Sequence, residues 1–301
     1  MGESYTGFAE VYDELMDDVP YEKWCERICA SIDRYGISKR VSRVPKKSEE
    51  FAEAEADGTS SEKTEMNGVS GDEADESARL ESERNLVVDL GCGTGTLTEM
   101  LYDSGFDMIG IDNSEDMLGI AMEKRQESGS EILYLNQDMR ELELYSTVGT
   151  VVSVCDSLNY ILEDEELEQV FGLVHNYLYP GGLFIFDFNT DYKYREIIGD
   201  GTIAENREDC SFIWENEYDP ESGINEYDLT FYVRDESGKY ERFEETHYQK
   251  GYTPEVIGKM LSKTGFELIK MTDSETEGEI GETSQRIYVV AKCLKETGGR
   301  A

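Results

Sequence analysis

Three glycines at alternate positions follow a short apolar run in the stretch VVDLGCGTG, residues 87–95. Glycine allows positive φ and leaves no Cβ between the backbone and a ligand, so Gly91, Gly93 and Gly95 predict a loop that a ligand approaches closely. The spacing G-x-G-x-G differs from the G-x-G-x-x-G of dinucleotide-binding loops. Asp89 precedes the loop, and its carboxylate repels a pyrophosphate but attracts an ammonium group. The loop therefore predicts an aminoacyl ligand.

Two further acidic residues end the next two predicted strands. Asp112 ends the second strand, where an acid accepts hydrogen bonds from both hydroxyls of a ribose. Asp138 ends the third strand and is placed to accept from the exocyclic amine of a base, with Met139 packing on the plane of the base. Together with the glycine loop, these residues predict contacts to three parts of one nucleoside.

Strands that alternate with helices must position these residues. After residue 84 the pattern predicts an α/β fold, specifically a Rossmann-like, doubly wound, mostly parallel sheet of seven strands. A helical stripe of apolar residues lies between Asp164 and Leu178, and Thr253 followed by Pro254 predicts the start of a later helix. The seven strands are predicted at residues 85–90, 106–112, 131–138, 148–156, 183–189, 266–273 and 285–294.

Three other segments differ from this alternation. Two amphipathic helices predict an N-terminal helical cap at residues 1–40, and residues 41–84 have the acidic, apolar-poor composition of a disordered insertion. Within the main domain, residues 85–301, alternation at period two predicts an antiparallel β insertion at about 203–250.

The stretches VVDLGCGTG, GIDNSEDML, QDMREL and LYPGGLFIFDFNT occur in an order and at spacings that resemble the motifs of class I S-adenosylmethionine (SAM)-dependent methyltransferases. The match covers most of residues 85–190. The resemblance implies that SAM is the cofactor. It places the methionine moiety at Asp89 and the glycine loop, the ribose at Asp112, and the adenine at Asp138 and Met139. The full cofactor set that it implies also includes Cys92, Asn113 and Met117.

The opening segment YTGFAEVYDELM resembles the N-terminal cap of small-molecule members of this superfamily, in which an aromatic residue closes over SAM. Tyr5 and Tyr12 are the matching positions. A core position on the apolar face of the first helix is an equal alternative for Tyr12.

The acceptor side is expected to follow the fourth strand. Asp156 and Asn159 lie where this superfamily meets the methyl group and the acceptor, although a turn-stabilising role is the alternative. Tyr160 is expected to supply an aromatic wall. His247 is the acid/base candidate, and an exposed strand histidine is its alternative.

The net charge of −39 opposes binding to a phosphate backbone, so nucleic acid is an unlikely partner. No apolar run of about 18 residues and no secretory leader pattern occurs, which favours a cytoplasmic protein without membrane association. Six scattered cysteines and two histidines lack metal-ligand spacing, so no metal is expected.

The sequence thus predicts a methyltransferase acting on an N- or O-nucleophile of a small molecule. Methylation of RNA or protein remains an alternative, as does a non-catalytic SAM-binding regulatory or assembly protein. A homodimer is also possible.

Overall fold

A computed structural model describes residues 8–17, 19–41, 79–235 and 237–295. The predicted contact of Tyr5 lies outside these described residues. Most of the predicted acidic insertion, residues 42–78, lies outside them as well.

The predicted seven-stranded sheet is confirmed, with the order β10-β11-β5-β4-β1-β2-β3. Only β11 runs antiparallel to its neighbours in this sheet. The order reverses between β1 and β4, and ligands of doubly wound folds bind beside the carboxyl ends of the strands at such a reversal. The strands are β1 (Leu86–Leu90), β2 (Asp107–Asp112), β3 (Leu133–Asn136), β4 (Val148–Ser153), β5 (Leu178–Asn189), β10 (Phe266–Asp273) and β11 (Arg286–Cys293).

Helices cover both faces of the sheet because alternate strand residues are apolar on both sides. In β1, Val88 packs with the helix at Asp164–Tyr177, whereas Val87 packs with the helix at Tyr21–Tyr35. Thr253 caps its helix by accepting a hydrogen bond from the Val256 N–H. The helices are α1 (Phe8–Leu15), α2 (Tyr21–Tyr35), α3 (Thr96–Asp103), α4 (Glu115–Ser128), α5 (Asp164–Tyr177) and α6 (Pro254–Lys263).

The predicted β insertion forms a separate antiparallel sheet with the order β6-β7-β8-β9. Its inner face is apolar and packs against α1, where Val11 is buried among Tyr227, Leu229 and Phe231. The cap helix and the insertion therefore form one connected layer. The strands are β6 (Thr202–Asn206), β7 (Cys210–Asp219), β8 (Ile224–Arg234) and β9 (Tyr240–Lys250).

Residues 79–85 form a helix that leads into β1. The carbonyl of Arg84 lies directly beside Gly149 of β4, and the Arg84 guanidinium donates to the Tyr179 hydroxyl at 2.6 Å. The last six residues of the insertion predicted at 41–84 therefore belong to the folded domain. The sequence does not indicate this, because these six residues are as highly charged as the rest of the segment. None of the described helices is long and apolar enough to cross a membrane.

Candidate functional site

The glycine loop connects β1 to α3 with three positive φ angles, 81° at Gly91, 53° at Gly93 and 75° at Gly95. A Cβ at Gly93 would meet no atom within 4 Å, so this side of the loop is open. A Cβ at Gly91 would lie 2.7 Å from the Cβ of Ser157, and one at Gly95 would lie 2.5 Å from the Tyr134 hydroxyl. Close packing thus excludes side chains at two of the positions, and open space for a ligand adjoins the third.

Asp112 lies directly beside this loop. Its Oδ2 accepts a hydrogen bond from the Gly93 N–H at 2.8 Å, and its Oδ1 accepts one from the Ser114 N–H at 2.9 Å. These bonds fix the carboxylate and leave lone pairs on both oxygens for a diol. Burial raises the pKa of Asp112, although the backbone donors oppose that change. Asn113 is exposed on the same edge, whereas Met117 is only 3% exposed and packs within the domain.

Asp89 lies under the loop and is 2% exposed. Its Oδ2 accepts a hydrogen bond from the Thr98 hydroxyl at 2.6 Å, and its Oδ1 accepts none from the described residues. Burial, with a smaller contribution from the charge of Asp112, raises the pKa of Asp89 to about 6. Burial also raises the pKa of the Cys92 thiol well above its ordinary value, so this residue is a neutral thiol in the wall of the loop.

Asp138 ends the third strand region in an ion pair with Arg140. The shortest contact, between Arg140 Nη2 and Asp138 Oδ2, is 2.5 Å, and hydrogen bonds from Arg140 lower the pKa of this carboxyl. The Met139 Cε lies 3.5 Å from the position that a Cβ at Gly91 would occupy, so Met139 borders the glycine loop. The structure thus brings the predicted cofactor residues of the first three strand ends to one edge of the sheet.

The chain adopts an uncommon conformation where β4 ends. Cys155 and Asp156 have φ angles of 62° and 54°, a region that residues other than glycine rarely adopt. The Asp156 N–H donates to Asp187 Oδ1 at 2.9 Å and holds this turn in place. Such conformations cost about 1–3 kcal/mol each and occur preferentially at functional sites.

A buried ionic network surrounds this turn. Arg286, at the start of β11, contacts Asp156 Oδ1 at 2.5 Å and Asp187 Oδ2 at 3.0 Å. Burial alone lowers the pKa of Arg286, but the charges of Asp187 and Asp156 outweigh burial and raise it. Gln249 of β9 donates to Asp156 Oδ2 at 2.8 Å, and the Trp24 ring lies 5.4 Å from the guanidinium carbon. The Asp156 carboxylate is therefore oriented from both sides.

Asn159 is fully buried and contacts only protein backbone through its amide. The amide accepts from the Asn189 N–H at 2.9 Å and donates to the carbonyls of Asn189 and Lys250 at 2.9 and 2.7 Å. Both amide hydrogens are thus used. This geometry corresponds to the turn-stabilising alternative and not to the predicted acceptor contact, because Asn159 joins β5 to the end of β9.

His247 is 3% exposed, so the alternative of an exposed strand histidine is wrong. Its ring stacks on Tyr227 with centroids 5.4 Å apart and meets Tyr160 edge-on at 6.0 Å. The His247 Nε2 lies 3.2 Å from the carboxylate of Glu245, which is also buried. Histidine and aromatic rings therefore form one wall beside the end of β4.

Helix α1 contributes to both halves of the site. The Tyr12 hydroxyl lies 3.9 Å from the Cys155 thiol, and burial raises the pKa of Tyr12 well above its ordinary value. Asp13 Oδ1 accepts from the hydroxyls of Thr94 and Thr96 at 2.7 and 3.1 Å, and Asp13 Oδ2 lies 2.5 Å from Lys124 Nζ. The cap helix is thus attached to the glycine loop.

Sequence reasoning did not identify Asp187, Arg286, Gln249 or Asp13. A signal existed for Asp187, because it is the one acidic residue of the apolar strand LFIFDFN. Arg286 gave no comparable signal, since only the antiparallel return of β11 brings it to the carboxyl edge. Within the described part of the chain, no group of three or more histidine, cysteine or acidic side chains is arranged to hold a metal.

Comparison with known proteins supplies independent findings. The family model for a methyltransferase domain matches residues 87–182. A protein of Geobacillus sp. (strain WCH70), named as a methyltransferase, is 32% identical over 96% of this chain and 99% of its own length. The crystal structure of a SAM-dependent methyltransferase from Clostridium acetobutylicum ATCC 824 aligns with a TM-score of 0.72 and 25% identity, over 97% of this chain and 99% of that one.

A shorter part of this chain is similar in sequence to a dTDP-3-amino-3,4,6-trideoxy-α-D-glucopyranose N,N-dimethyltransferase of Streptomyces venezuelae. The identity is 30%, over 40% of this chain and 48% of that protein.

Proposed function

The chain belongs to the class I SAM-dependent methyltransferases, and from that premise we propose that it methylates a nitrogen or oxygen nucleophile of a small molecule. SAM supplies a methyl group on a sulfonium, whose sulfur receives the electron pair of the breaking C–S bond. The acceptor's lone pair forms the new bond to the methyl carbon, and the acceptor loses a proton. This chain must therefore bind both molecules in line and receive that proton.

The residues at the first three strand ends fit SAM. Asp112 holds the ribose, since backbone donors fix its two oxygens beside the loop. Asp89 Oδ1 accepts from the ammonium of the methionine moiety, and the open face at Gly93 accommodates the chain of that moiety. Asp138 and Met139 bind the adenine, with Arg140 orienting the Asp138 carboxylate.

The observation that most supports the acceptor site is the oriented carboxylate of Asp156 at the end of β4. Arg286 and Gln249 orient it, and the next residue in the chain, Ser157, packs on Gly91 and donates to its carbonyl, so Asp156 adjoins the cofactor loop. Asp156 accepts a hydrogen bond from the acceptor's N–H or O–H and aligns its lone pair. Tyr160 and Tyr12 form the aromatic walls, and His247, with Glu245 beside it, receives the released proton.

Two features support a small acceptor over RNA or protein. Helix α1 packs against the insertion sheet and also binds the glycine loop through Asp13, so both additions adjoin the carboxyl edge where the acceptor must enter. The net charge of −39 also opposes an RNA substrate. The Streptomyces relative acts on a nucleotide-linked amino sugar, as its name states, which favours an amine acceptor. A cytoplasmic location and a homodimer remain predictions.

Incubation with methyl-labelled SAM and a panel of small amines and alcohols tests the proposal. We expect label transfer to at least one acceptor. Asp156→Asn should lower kcat about 100-fold, the loss expected when the alignment of the acceptor is disturbed, without changing the Kd for SAM. Asp164→Asn is the matched control, because Asp164 also forms an ion pair but lies half-exposed at the start of α5. A protein that binds SAM but methylates no acceptor would instead support the non-catalytic alternative.

A further inference from the structure

Lys193 has an unusual environment for a lysine in so acidic a protein. It begins the π-helical segment Lys193–Ile198, which follows β5 after a three-residue turn, and such segments often occur at functional sites. Its ammonium donates to the neutral Asn189 Oδ1 at 3.0 Å and forms no ion pair with any described residue. Burial, and then the charge of Arg286, lower its pKa. This partly buried ammonium therefore has carboxylates nearby but forms a direct ion pair with none of them in the described part of the chain.

The partner of the ammonium places it beside the acceptor site. Asn189, whose side chain accepts from Lys193, is bonded through its backbone to Asn159 in the segment that follows β4, and the charges of Arg286, Asp156 and Asp187 act on the ammonium as well. A continuous series of hydrogen bonds also connects it to the Asp156 carboxylate. Each member donates to the next in the order Lys193, Asn189, Tyr194, Gln249, Asp156.

This series fixes the distance between the two ends. The interior members have hydrogen-bond partners on both sides, whereas an ammonium has three donors and Lys193 uses only one among the described residues. The free donors of Lys193 and the oriented oxygens of Asp156 are therefore the two groups that a bound molecule can engage.

The charges of this cluster restrict which molecule that is. Asp156 and Asp187 balance Arg286 and Lys193, so the four groups together are neutral. A ligand with two charges of the same sign would leave more charge uncompensated in this partly buried site than a singly charged ligand, which is costly. A molecule with one positive and one negative group keeps the balance. A phosphate dianion would carry one negative charge more than the Lys193 ammonium can balance.

We propose that Lys193 binds a carboxylate of the acceptor, so that the acceptor is a small molecule that carries both an amine and a carboxylate. The amine lies at Asp156, where it binds as an ammonium and loses one proton to His247 before its lone pair attacks the methyl carbon, and the carboxylate lies at Lys193. This inference rests on the proposed function, which identifies the amine as the group that receives the methyl.

The first test does not require turnover. Isotope-labelled protein, saturated with S-adenosylhomocysteine, is titrated with acetate and separately with the neutral isostere acetamide, and the backbone amide signals are followed by NMR. Acetate should shift the signals of Lys193, Asn189 and Tyr194 saturably, and acetamide should not. In Lys193→Met the affinity for acetate should fall at least about tenfold, the loss expected for a charge-assisted hydrogen bond.

Two further variants keep this test specific. Lys193→Arg should retain acetate binding, which shows that a positive charge at this position is what acetate requires, and SAM binding by Lys193→Met shows that this variant is folded. Arg195→Met is the matched control, because Arg195 lies in the same segment but is exposed and paired with Asp191 and Glu196. Acetate binding that is absent in the wild type, or equal in Lys193→Met and the wild type, would overturn the inference.

Calorimetry with SAM separates this inference from the proposed function. Lys193→Met should bind SAM as the wild type does. A tenfold loss of SAM affinity would show that Lys193 holds the carboxylate of SAM itself, which overturns the inference and leaves the proposed function intact. Failure of the wild type to bind SAM would refute the proposed function whatever acetate does.

Discussion

At the residue scale, two carboxylates at the same edge of the sheet differ in the number of hydrogen bonds that they accept from the protein. Asp112 accepts hydrogen bonds from two backbone N–H groups, whereas Asp89 accepts one from the Thr98 hydroxyl. Both have raised pKa values, because burial outweighs these donors. The two residues therefore lend themselves to different tests.

Asp112→Ala should weaken SAM binding by about 1.5–3 kcal/mol, the range for hydrogen bonds to a charged group. Titration calorimetry measures this change. Asp107→Ala is the control, since Asp107 lies on the same strand at the opposite edge of the sheet and should leave the affinity unchanged. Equal affinity of Asp112→Ala and the wild type would refute the ribose assignment.

SAM affinity should depend on pH through Asp89. Its pKa is about 6, so protonation below that pH removes the charge that faces the SAM ammonium. We expect Kd to rise up to about tenfold per pH unit below 6, and Asp89→Asn should bind weakly without this dependence. If calorimetry shows the same pH profile for both proteins, Asp89 does not contact the ammonium.

Stability should respond to Asp89 in the opposite direction. A pKa raised from 3.8 to about 6 means that the folded state favours the protonated carboxyl. Stability from this group is present below pH 4 and is lost as the pH rises through about 6. Asp89→Asn should therefore stabilise the protein at pH 7 by about 1–3 kcal/mol, measured by urea denaturation. A less stable variant at pH 7 would contradict this account.

The predictability of the site differs from residue to residue. The positions of Gly93 and Asp112 at one edge of the sheet could be predicted, because they follow from local spacing after a strand. For Asn159 the sequence left an acceptor contact and a turn-stabilising role open, since its partners at Asn189 and Lys250 are set by tertiary contacts that no local pattern records. The positions of Lys193 and Arg286 at this site could not be predicted for the same reason.

At the element scale, α1 connects the cofactor loop to the insertion. Asp13 binds Thr94, Thr96 and Lys124, while Val11 on the same helix packs into the insertion sheet. The amphipathic pattern predicted this helix. It did not predict that Asp13 contacts the glycine loop, because the period of apolar residues carries no information about polar contacts. The bounds of the insertion were predicted to within one residue, because two-residue alternation and turn signals are local.

Asp13→Ala should release α1 from the glycine loop and speed the dissociation of SAM. Loss of two hydroxyl hydrogen bonds and a partly exposed ion pair predicts roughly a threefold to tenfold faster rate, measured by stopped-flow fluorescence. Glu123→Ala on α4 is the control, because Glu123 is exposed beside Lys124. An unchanged dissociation rate in Asp13→Ala would show that α1 does not retain the cofactor.

At the scale of the whole molecule, a SAM-binding sheet is combined with two additions that adjoin its carboxyl edge. The fold class followed from the alternation of strands and helices. The boundary of the acidic segment did not, since residues 79–84 share its composition yet contact the domain through Glu83 and Arg84. Composition alone therefore places that boundary too late.

Deletion of residues 42–78, bridged by a short Gly-Ser linker, should leave SAM affinity and the melting temperature nearly unchanged. Deletion through residue 84 should lower the melting temperature by about 4 °C or more, because it removes roughly 1–2 kcal/mol of contacts to Tyr179 and Thr147. Calorimetric melting compares the two proteins. Equal melting temperatures would show that the helix at 79–85 contributes nothing to stability.

A crystal structure with S-adenosylhomocysteine bound tests the position of the acceptor most directly. The ribose should contact Asp112, and the sulfur should face the space between Asp156 and Tyr160, roughly 3–6 Å from where an acceptor atom hydrogen-bonded to Asp156 would lie. A sulfur that faces away from Asp156, or one separated from it by protein atoms, would contradict the proposal that the acceptor meets the methyl group at the end of β4.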